Sequence, residues 1–256
     1  MTLREITLLE SIPVAALDLK QAAALISARD PALPFATVIP INAQLLVMAN
    51  APGSAIRPPM DQAWLRLNDS RILAALQRWA TGETVPLAPG SDLCVEMLNR
   101  VIRPDDAVTV IGGGPQLAPV LQARFGLRRL AQHEPPMGYM NNPAARDAAI
   151  HFIESHPARY IFVATGAPRS EQLMAAVAAR GLTRGVGMAV GSGLLFAAGL
   201  SKRAPAWMRR SGLEWLHRAL SEPKRLGARY ASDALPLLGL ALRARHAHRA
   251  RMASAS

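Results

Sequence analysis

Asp69, in the stretch RLNDSRILAAL, stands immediately before a helix-patterned run, and two kinds of chemistry fit that place. One is a helix N-cap, in which the carboxylate accepts backbone hydrogen bonds. The other is a general base at the mouth of a crevice, taking a proton from an attacking hydroxyl. Glycine turns form a second group: GGGP at 112–115, TGAP at 165–168 and GSG at 191–193, each following a short apolar run. Glycine after a strand lets backbone N–H groups approach a phosphate at a helix start, although such residues also serve simply to turn the corner. The first turn fails the G-x-G-x-x-G fingerprint because Leu117 holds the last glycine position, which argues against a nicotinamide-dependent oxidoreductase. Three glycine turns on one sheet edge favour a nucleotide site of another kind.

Other chemistries find less support. The six histidines (His133, His151, His156, His217, His246 and His248) lack zinc-ligand spacing. No D-x-D pattern is present to hold a divalent cation on a nucleotide diphosphate, and no G-x-S-x-G marks a nucleophile. No metal site is expected.

The elements that must position these groups follow from hydrophobic patterning. The runs FATVI (35–39), AVTVI (107–111), YIFVA (160–164) and VGMAV (186–190) are continuous rather than alternating, as in parallel strands buried on both faces. Helix-patterned stretches lie between them: DLKQAAALISA, SDLCVEMLNRV with Ser91 as its expected cap, QLAPVLQARF and SEQLMAAVAAR. Repetition of strand, glycine turn and helix predicts a doubly wound α/β domain, mostly parallel, with its crevice at the strand carboxyl ends.

Charge separates the last segment from the rest. Residues 200–256 hold 12 Lys/Arg against 3 Asp/Glu, a net of +9, whereas the preceding 199 residues hold 17 against 15. The segment 199–230 sets two tryptophans and several leucines among its cations. Ser211 and Glu214 have capping-box spacing, and Leu213, Leu216 and Leu220 form one stripe. The expected organisation is a catalytic domain over 1–198, a basic amphipathic helical appendage over 199–249 and a frayed end at 250–256. Such a tail suits an anionic membrane surface; nucleic acid is the alternative partner, but no helix-turn-helix, RRM or zinc module accompanies it. The apolar stretch ALPLLGLAL (234–242) is too short to span a bilayer and is expected to join the same surface. The lone cysteine, Cys94, reads as a core residue in a reducing compartment, and the amino terminus lacks a signal-peptide pattern, so a cytoplasmic protein is expected.

These motifs together resemble the WecG/TagA/CpsF family of bacterial glycosyltransferases from about Thr37 to Tyr230. KRAPAWMRRSGLEWLHRALSEPKRLGARY is similar to the family's carboxyl-terminal signature, in which RAP, W-M, GLEWL-R, EP-RL and RY recur in that order. APGSDLCVEML resembles its P-G-S-D-L segment, VTVIGGGPQLA its strand and Gly-Gly turn, and YIFVATGAPRSEQL its G-x-P-K-Q-E element.

The resemblance implies a Rossmann-like fold and transfer of a sugar, with inversion and without a metal or other cofactor, from a nucleotide diphosphate sugar to a polyprenyl-diphosphate-linked acceptor. The site would lie at the inner face of the cytoplasmic membrane, and self-association is also implied. Asp69 matches the catalytic carboxylate of the family's A-D-G element. Asn42 matches the asparagine of T-x-N, and Arg203 the RAP arginine, a diphosphate ligand. Ser91, Asp92, Gly112, Gly113, Gly166, Pro168 and Glu171 occupy matching nucleotide-binding positions. Trp207, Arg209, Arg210, Arg218, Lys224, Arg225 and Arg229 would face membrane and acceptor. Pro40, Ser70, Ser170 and Leu195 depart from the family's threonine, glycine, glutamine and acidic residue, and bear on donor choice and activity.

Overall fold

The computed structural model describes residues 3–202, 204, 205, 207, 208 and 228–255, the side chains of 228–231 and 255 excepted. Six strands, β3 (Ala36–Ile41), β4 (Leu65–Asn68), β5 (Ala107–Ile111), β6 (Arg129–His133), β7 (Tyr160–Val163) and β8 (Val186–Ala189), form one sheet. Every pairing is parallel and the order is β4-β3-β8-β7-β5-β6. All residues of β3, β7 and β8 are buried, as the continuous apolar runs require of central strands covered on both faces. The expected doubly wound α/β architecture is the one observed.

Alternate residues along each strand enter two separate cores. On one face Ile39, Ile41, Ile161 and Val163 meet α2 (Ala43–Ala49), α4 (Arg71–Thr81), α7 (Pro143–Ser155) and α8 (Arg169–Arg180), with the short α3 (Arg57–Asp61) beside them. On the other, Val38, Leu67, Val110, Phe162 and Met188 meet α1 (Leu19–Ala28), α5 (Gly90–Glu96), α6 (Leu117–Phe125) and α9 (Gly193–Ala198). Cys94 is a fully buried member of this second core. The chain leaves neighbouring strands β5 and β7 toward opposite faces, through α6 and α8. Their separation opens a crevice at the carboxyl edge.

Four strands were not anticipated. The edge strand β4 carries Arg66 at a position where apolar patterning expects otherwise, and the fold holds that guanidinium from several sides. It donates to the carbonyl oxygens of Pro13 (2.7 Å) and Met60 (3.0 Å) and pairs with Glu5 (3.0 Å). Pro13 and Glu5 belong to the antiparallel hairpin of β1 (Glu5–Leu8) and β2 (Ile12–Ala15), which packs beside β4. The fourth, β6, is polar because its side chains serve the neighbouring glycine turn. At α5 the cap differs as well: the helix starts at Gly90 after Pro89, so Ser91 lies inside its first turn.

The carboxyl-terminal region corrects two expectations. Helix α10 (Ala228–Ala255) runs through the stretch expected to fray, and Arg251 pairs with Glu10 near its end. Three residues of the apolar stretch 234–242 belong to the core rather than to an outer surface. Leu237, Leu240, Ala241 and Ala244 are buried against α2 and α4, while Leu235, Leu238 and Leu242 remain exposed. The Arg245 guanidinium adds a contact 4.2 Å from the Trp79 ring centroid on α4. The stripe of Leu213, Leu216 and Leu220 and the Ser211–Glu214 cap lie outside the described residues. No helix among the described residues is long and apolar enough to cross a membrane.

This packing predicts unequal costs for two leucines two residues apart. Leu240→Ala should cost about 2–4 kcal/mol through a buried cavity and lower the melting temperature by about 5–10 °C. Leu238→Ala, on the exposed side, should stay within about 0.5 kcal/mol. Thermal unfolding of both variants checks the seating of α10, and equal losses would contradict it.

Candidate active site at the carboxyl edge of the sheet

Asp69 is the first residue after β4, and its surroundings test the first of its two readings. The cap of α4 is Ser70, whose hydroxyl accepts the Leu73 amide at 3.2 Å. Asp69 is therefore not the N-cap. Its own amide donates to Ile41 O at 2.9 Å, extending the β3–β4 ladder by one residue beyond the Ile41–Asn68 pair. That register places Asn42 and Asp69 side by side at the end of neighbouring strands. One Asp69 carboxylate oxygen accepts the Gly90 amide at 2.9 Å, from the first turn of α5 on the opposite face of the sheet. The carboxylate is half-exposed at the crevice, and the Gly90 amide is one of the groups that hold it there.

The start of α5 is pressed into this corner. A Cβ on Gly90 would meet the Pro40 ring at 3.0 Å, and one on Gly193 would meet Cys94 Sγ at 2.9 Å and Ser91 Cα at 3.1 Å. The absence of side chains at these two positions lets the GSG turn and the PGSD segment touch. Ser91 and Asp92 are half-buried in the first turn of α5, and Asn42 caps α2 by accepting the Leu45 amide at 3.0 Å. The amino termini of α2, α4 and α5 thus converge on the edge that holds Asp69, and their dipoles favour an anionic ligand.

The second half of the edge lies over β5, β6 and β7. Gly112, Gly113 and Gly114 have φ of 84°, 93° and 82°, three consecutive left-handed residues that only glycine adopts readily. Gln132 of β6 clamps the turn, donating to Gly112 O (3.0 Å) and Gly114 O (2.8 Å) while accepting the Ala118 amide (2.9 Å). Glu134, just past β6, accepts the Gly114 amide at 2.7 Å. Across the crevice, a Cβ on Gly112 would approach Thr165 Cγ2 to 2.9 Å, so the first and second glycine turns are in contact.

Next to them, Tyr139 Oη, Thr165 Oγ1 and Ser170 Oγ form a chain with 3.1 and 3.2 Å steps. Burial raises the Tyr139 pKa above its ordinary value, opposed by the Thr165 hydrogen bond and by Arg169. Pro168 is the residue before α8, joined to Ala167 by a cis peptide, and Gly166 has φ of 78°. Glu171, in the first turn of α8, is only 4% exposed, and its Oε2 has no hydrogen-bond partner. Burial without compensation pushes its pKa up to about 7, its own backbone amide pulling the other way.

The described residues of the expected site therefore share one edge. Asn42, Asp69, Ser91 and Asp92 gather near β3 and β4; Gly112, Gly113, Gly166, Pro168 and Glu171 gather near β5 and β7. Trp207 is 64% exposed. Arg203, Arg209, Arg210, Arg218, Lys224 and Arg225, and the side chain of Arg229, lie outside the described residues. Gln132, Glu134 and Tyr139 were missed. The first two stand at alternate positions at the end of a polar strand, a spacing that signals two side chains on one face. A cavity of about 560 Å³ lies at the opposite, amino edge among Lys20, Arg100, Arg103 and Arg159, away from the strand carboxyl ends.

Glu171 supplies a pH test. Its folded pKa of about 7 exceeds its ordinary 4.5, so the folded state holds the proton more tightly than the unfolded chain. Stability is then full at low pH and falls as pH rises from about 4.5 through 7, by up to about 3 kcal/mol. Glu171→Gln removes the titration. Melting curves should show the wild type losing stability relative to the variant between pH 5 and pH 8; a difference constant across that interval would contradict the assignment.

Comparison with known proteins agrees with this geometry. The model of the glycosyl transferase WecG/TagA/CpsF family matches residues 6–251, nearly the whole chain, and its members are glycosyltransferases of cell-surface polysaccharide synthesis. A six-stranded parallel sheet, glycine turns at its carboxyl edge and this match place the chain in the WecG/TagA/CpsF family of glycosyltransferases.

Proposed function

We propose that the chain transfers a sugar from a nucleotide diphosphate sugar to a polyprenyl-diphosphate-linked saccharide, with Asp69 as general base. The observation that carries this reading is the placement of Asp69: released from capping by Ser70 and aimed into the crevice corner by the Gly90 amide. In the reaction, the acceptor hydroxyl oxygen attacks the anomeric carbon as its proton passes to Asp69. The bond from that carbon to the nucleotide diphosphate breaks, the diphosphate leaves with the electron pair, and a single displacement inverts the anomeric centre.

The remaining residues have supporting parts in this proposal. Gly112, Gly113, Gly166 and Pro168 shape backbone that approaches the diphosphate, and Arg203 offers a guanidinium fork to it. Asn42, Ser91 and Asp92 border the transferred sugar. Glu171, neutral over much of the range below pH 7, stiffens the start of α8 without adding a full negative charge beside the diphosphate. No divalent cation is assigned a step, and no cofactor; helix amino termini and Arg203 carry the leaving-group charge. Of the departures, Pro40 packs under Gly90, Ser70 caps α4, Ser170 joins the Tyr139–Thr165 chain and Leu195 packs against the α5-side core. Each has a structural role here, so the donor sugar is the property they bear on.

Membrane attachment is part of the proposal. A cationic segment with Trp207, Arg209, Arg210, Arg218, Lys224, Arg225 and Arg229 suits an anionic inner leaflet, each cation contributing about 1 kcal/mol near the surface. This gives reversible docking at the cytoplasmic face, where the lipid-linked diphosphate is found.

Two experiments test the reading. Asp69→Asn should lower the transfer rate by about 10²–10⁴-fold, while nucleoside diphosphate affinity changes by less than about threefold. Transfer near the parental rate would remove Asp69 from its role. Replacing Arg209, Arg210, Lys224 and Arg225 together by Gln should weaken partition onto phosphatidylglycerol vesicles by about two to three orders of magnitude. Unchanged partition would refute docking through this segment.

A further inference from the structure

The carboxylate of Glu134 has no part in the chemistry described so far, yet it sits against the glycine turn. The unit β5, glycine turn, α6, β6 is a parallel crossover in which Ile111 pairs with His133. Glu134 therefore stands across the end of the ladder from Gly112. It lies 20 residues beyond Gly114 and accepts that residue's amide at 2.7 Å. In strand–glycine turn–helix–strand units generally, an acidic side chain about 20 residues past the turn, at the tip of the second strand, faces the ribose hydroxyls of a nucleotide. The sequence failed the glycine fingerprint at Leu117, but the physical parts of such a unit are present. Gln132 clamps the turn from β6.

We propose that Glu134 recognises the 2′,3′-diol of the donor's ribose, which rests on the nucleotide-sugar reading above. A carboxylate presents two oxygens with about four acceptor sites. One of these is engaged by Gly114, and the side chain is exposed at the edge. Two adjacent hydroxyl donors match the remainder. A phosphate does not fit beside it, because like charges repel at that distance.

The assignment also orients the donor. With ribose on the β6 side of the glycine turn, the diphosphate starts at Gly112 and Gly113 and extends along the edge past β7 and β8, so that the sugar lies toward Asp69 beyond β4. Strands β5 and β4 are four steps apart in the sheet order, about 19 Å at about 4.8 Å per step. The ribose, the diphosphate and the anomeric carbon occupy most of that span, and the acceptor hydroxyl that attacks this carbon completes it at Asp69.

Titration calorimetry on the full chain with UDP, GDP, ADP and CDP identifies the tightest ribonucleoside diphosphate; its 2′-deoxy counterpart is then the probe. Wild type should bind the ribo form about tenfold or more tightly than the deoxy form. Glu134→Ala should equalise the two within about twofold by weakening the ribo form. Glu134→Gln, which still accepts the Gly114 amide and should melt as wild type does, should fall between. A ratio kept in both variants, or no discrimination by wild type, overturns the role of Glu134 and leaves the donor class standing. Binding of none of the four diphosphates would overturn the donor class and this role together.

Discussion

The bond from the Gly90 amide to the Asp69 carboxylate joins the two halves of a doubly wound fold. Asp69 ends an edge strand whose following helix covers one face of the sheet; Gly90 begins a helix on the other. The contact requires Ser70 to cap α4 and requires Gly90 to lie close over Pro40. It also requires the amino termini of α2 and α4 to hold still, and α10 packs along both helices. The last 28 residues of helix therefore support the corner in which the proposed base is held, although they lie far from it in the chain.

Electrostatics divides the edge. Near β3 and β4, the half-exposed carboxylate of Asp69 is oriented by the Gly90 amide. Near β7, Glu171 is sealed away from water and about half-protonated at pH 7, so that half of the edge carries less negative charge beside its helix termini. Two acids on one edge thus have opposed environments, Asp69 half-exposed and Glu171 buried.

Much of the fold was legible because central parallel strands must be apolar on both faces: β3, β5, β7 and β8 stand out as uninterrupted runs. The edge strands did not, for physical reasons. Arg66 is tolerated in β4 only because Pro13, Met60 and Glu5, distant in sequence, surround its guanidinium. Gln132 in β6 acts on the glycine turn rather than on the core, and local patterning carries no record of such a task. Asp69 was legible as a candidate but not as a choice between cap and base; the cap reading fell only when the adjacent Ser70 hydroxyl was seen on Leu73. The apolar stretch 234–242 was legible as apolar but was read toward an outer surface, because composition does not name a packing partner; Leu237 and Leu240 found theirs in α2 and α4.

The account places the donor at the carboxyl edge, against a rival location in the cavity among Lys20, Arg100, Arg103 and Arg159 at the amino edge. Amide hydrogen exchange, with and without a saturating nucleoside diphosphate, separates the two directly. Slowed exchange confined to segments around 69–73, 90–94, 112–118 and 165–171 is the predicted result. Slowing around 97–106 and 20–27, with the glycine turns unaffected, would contradict it.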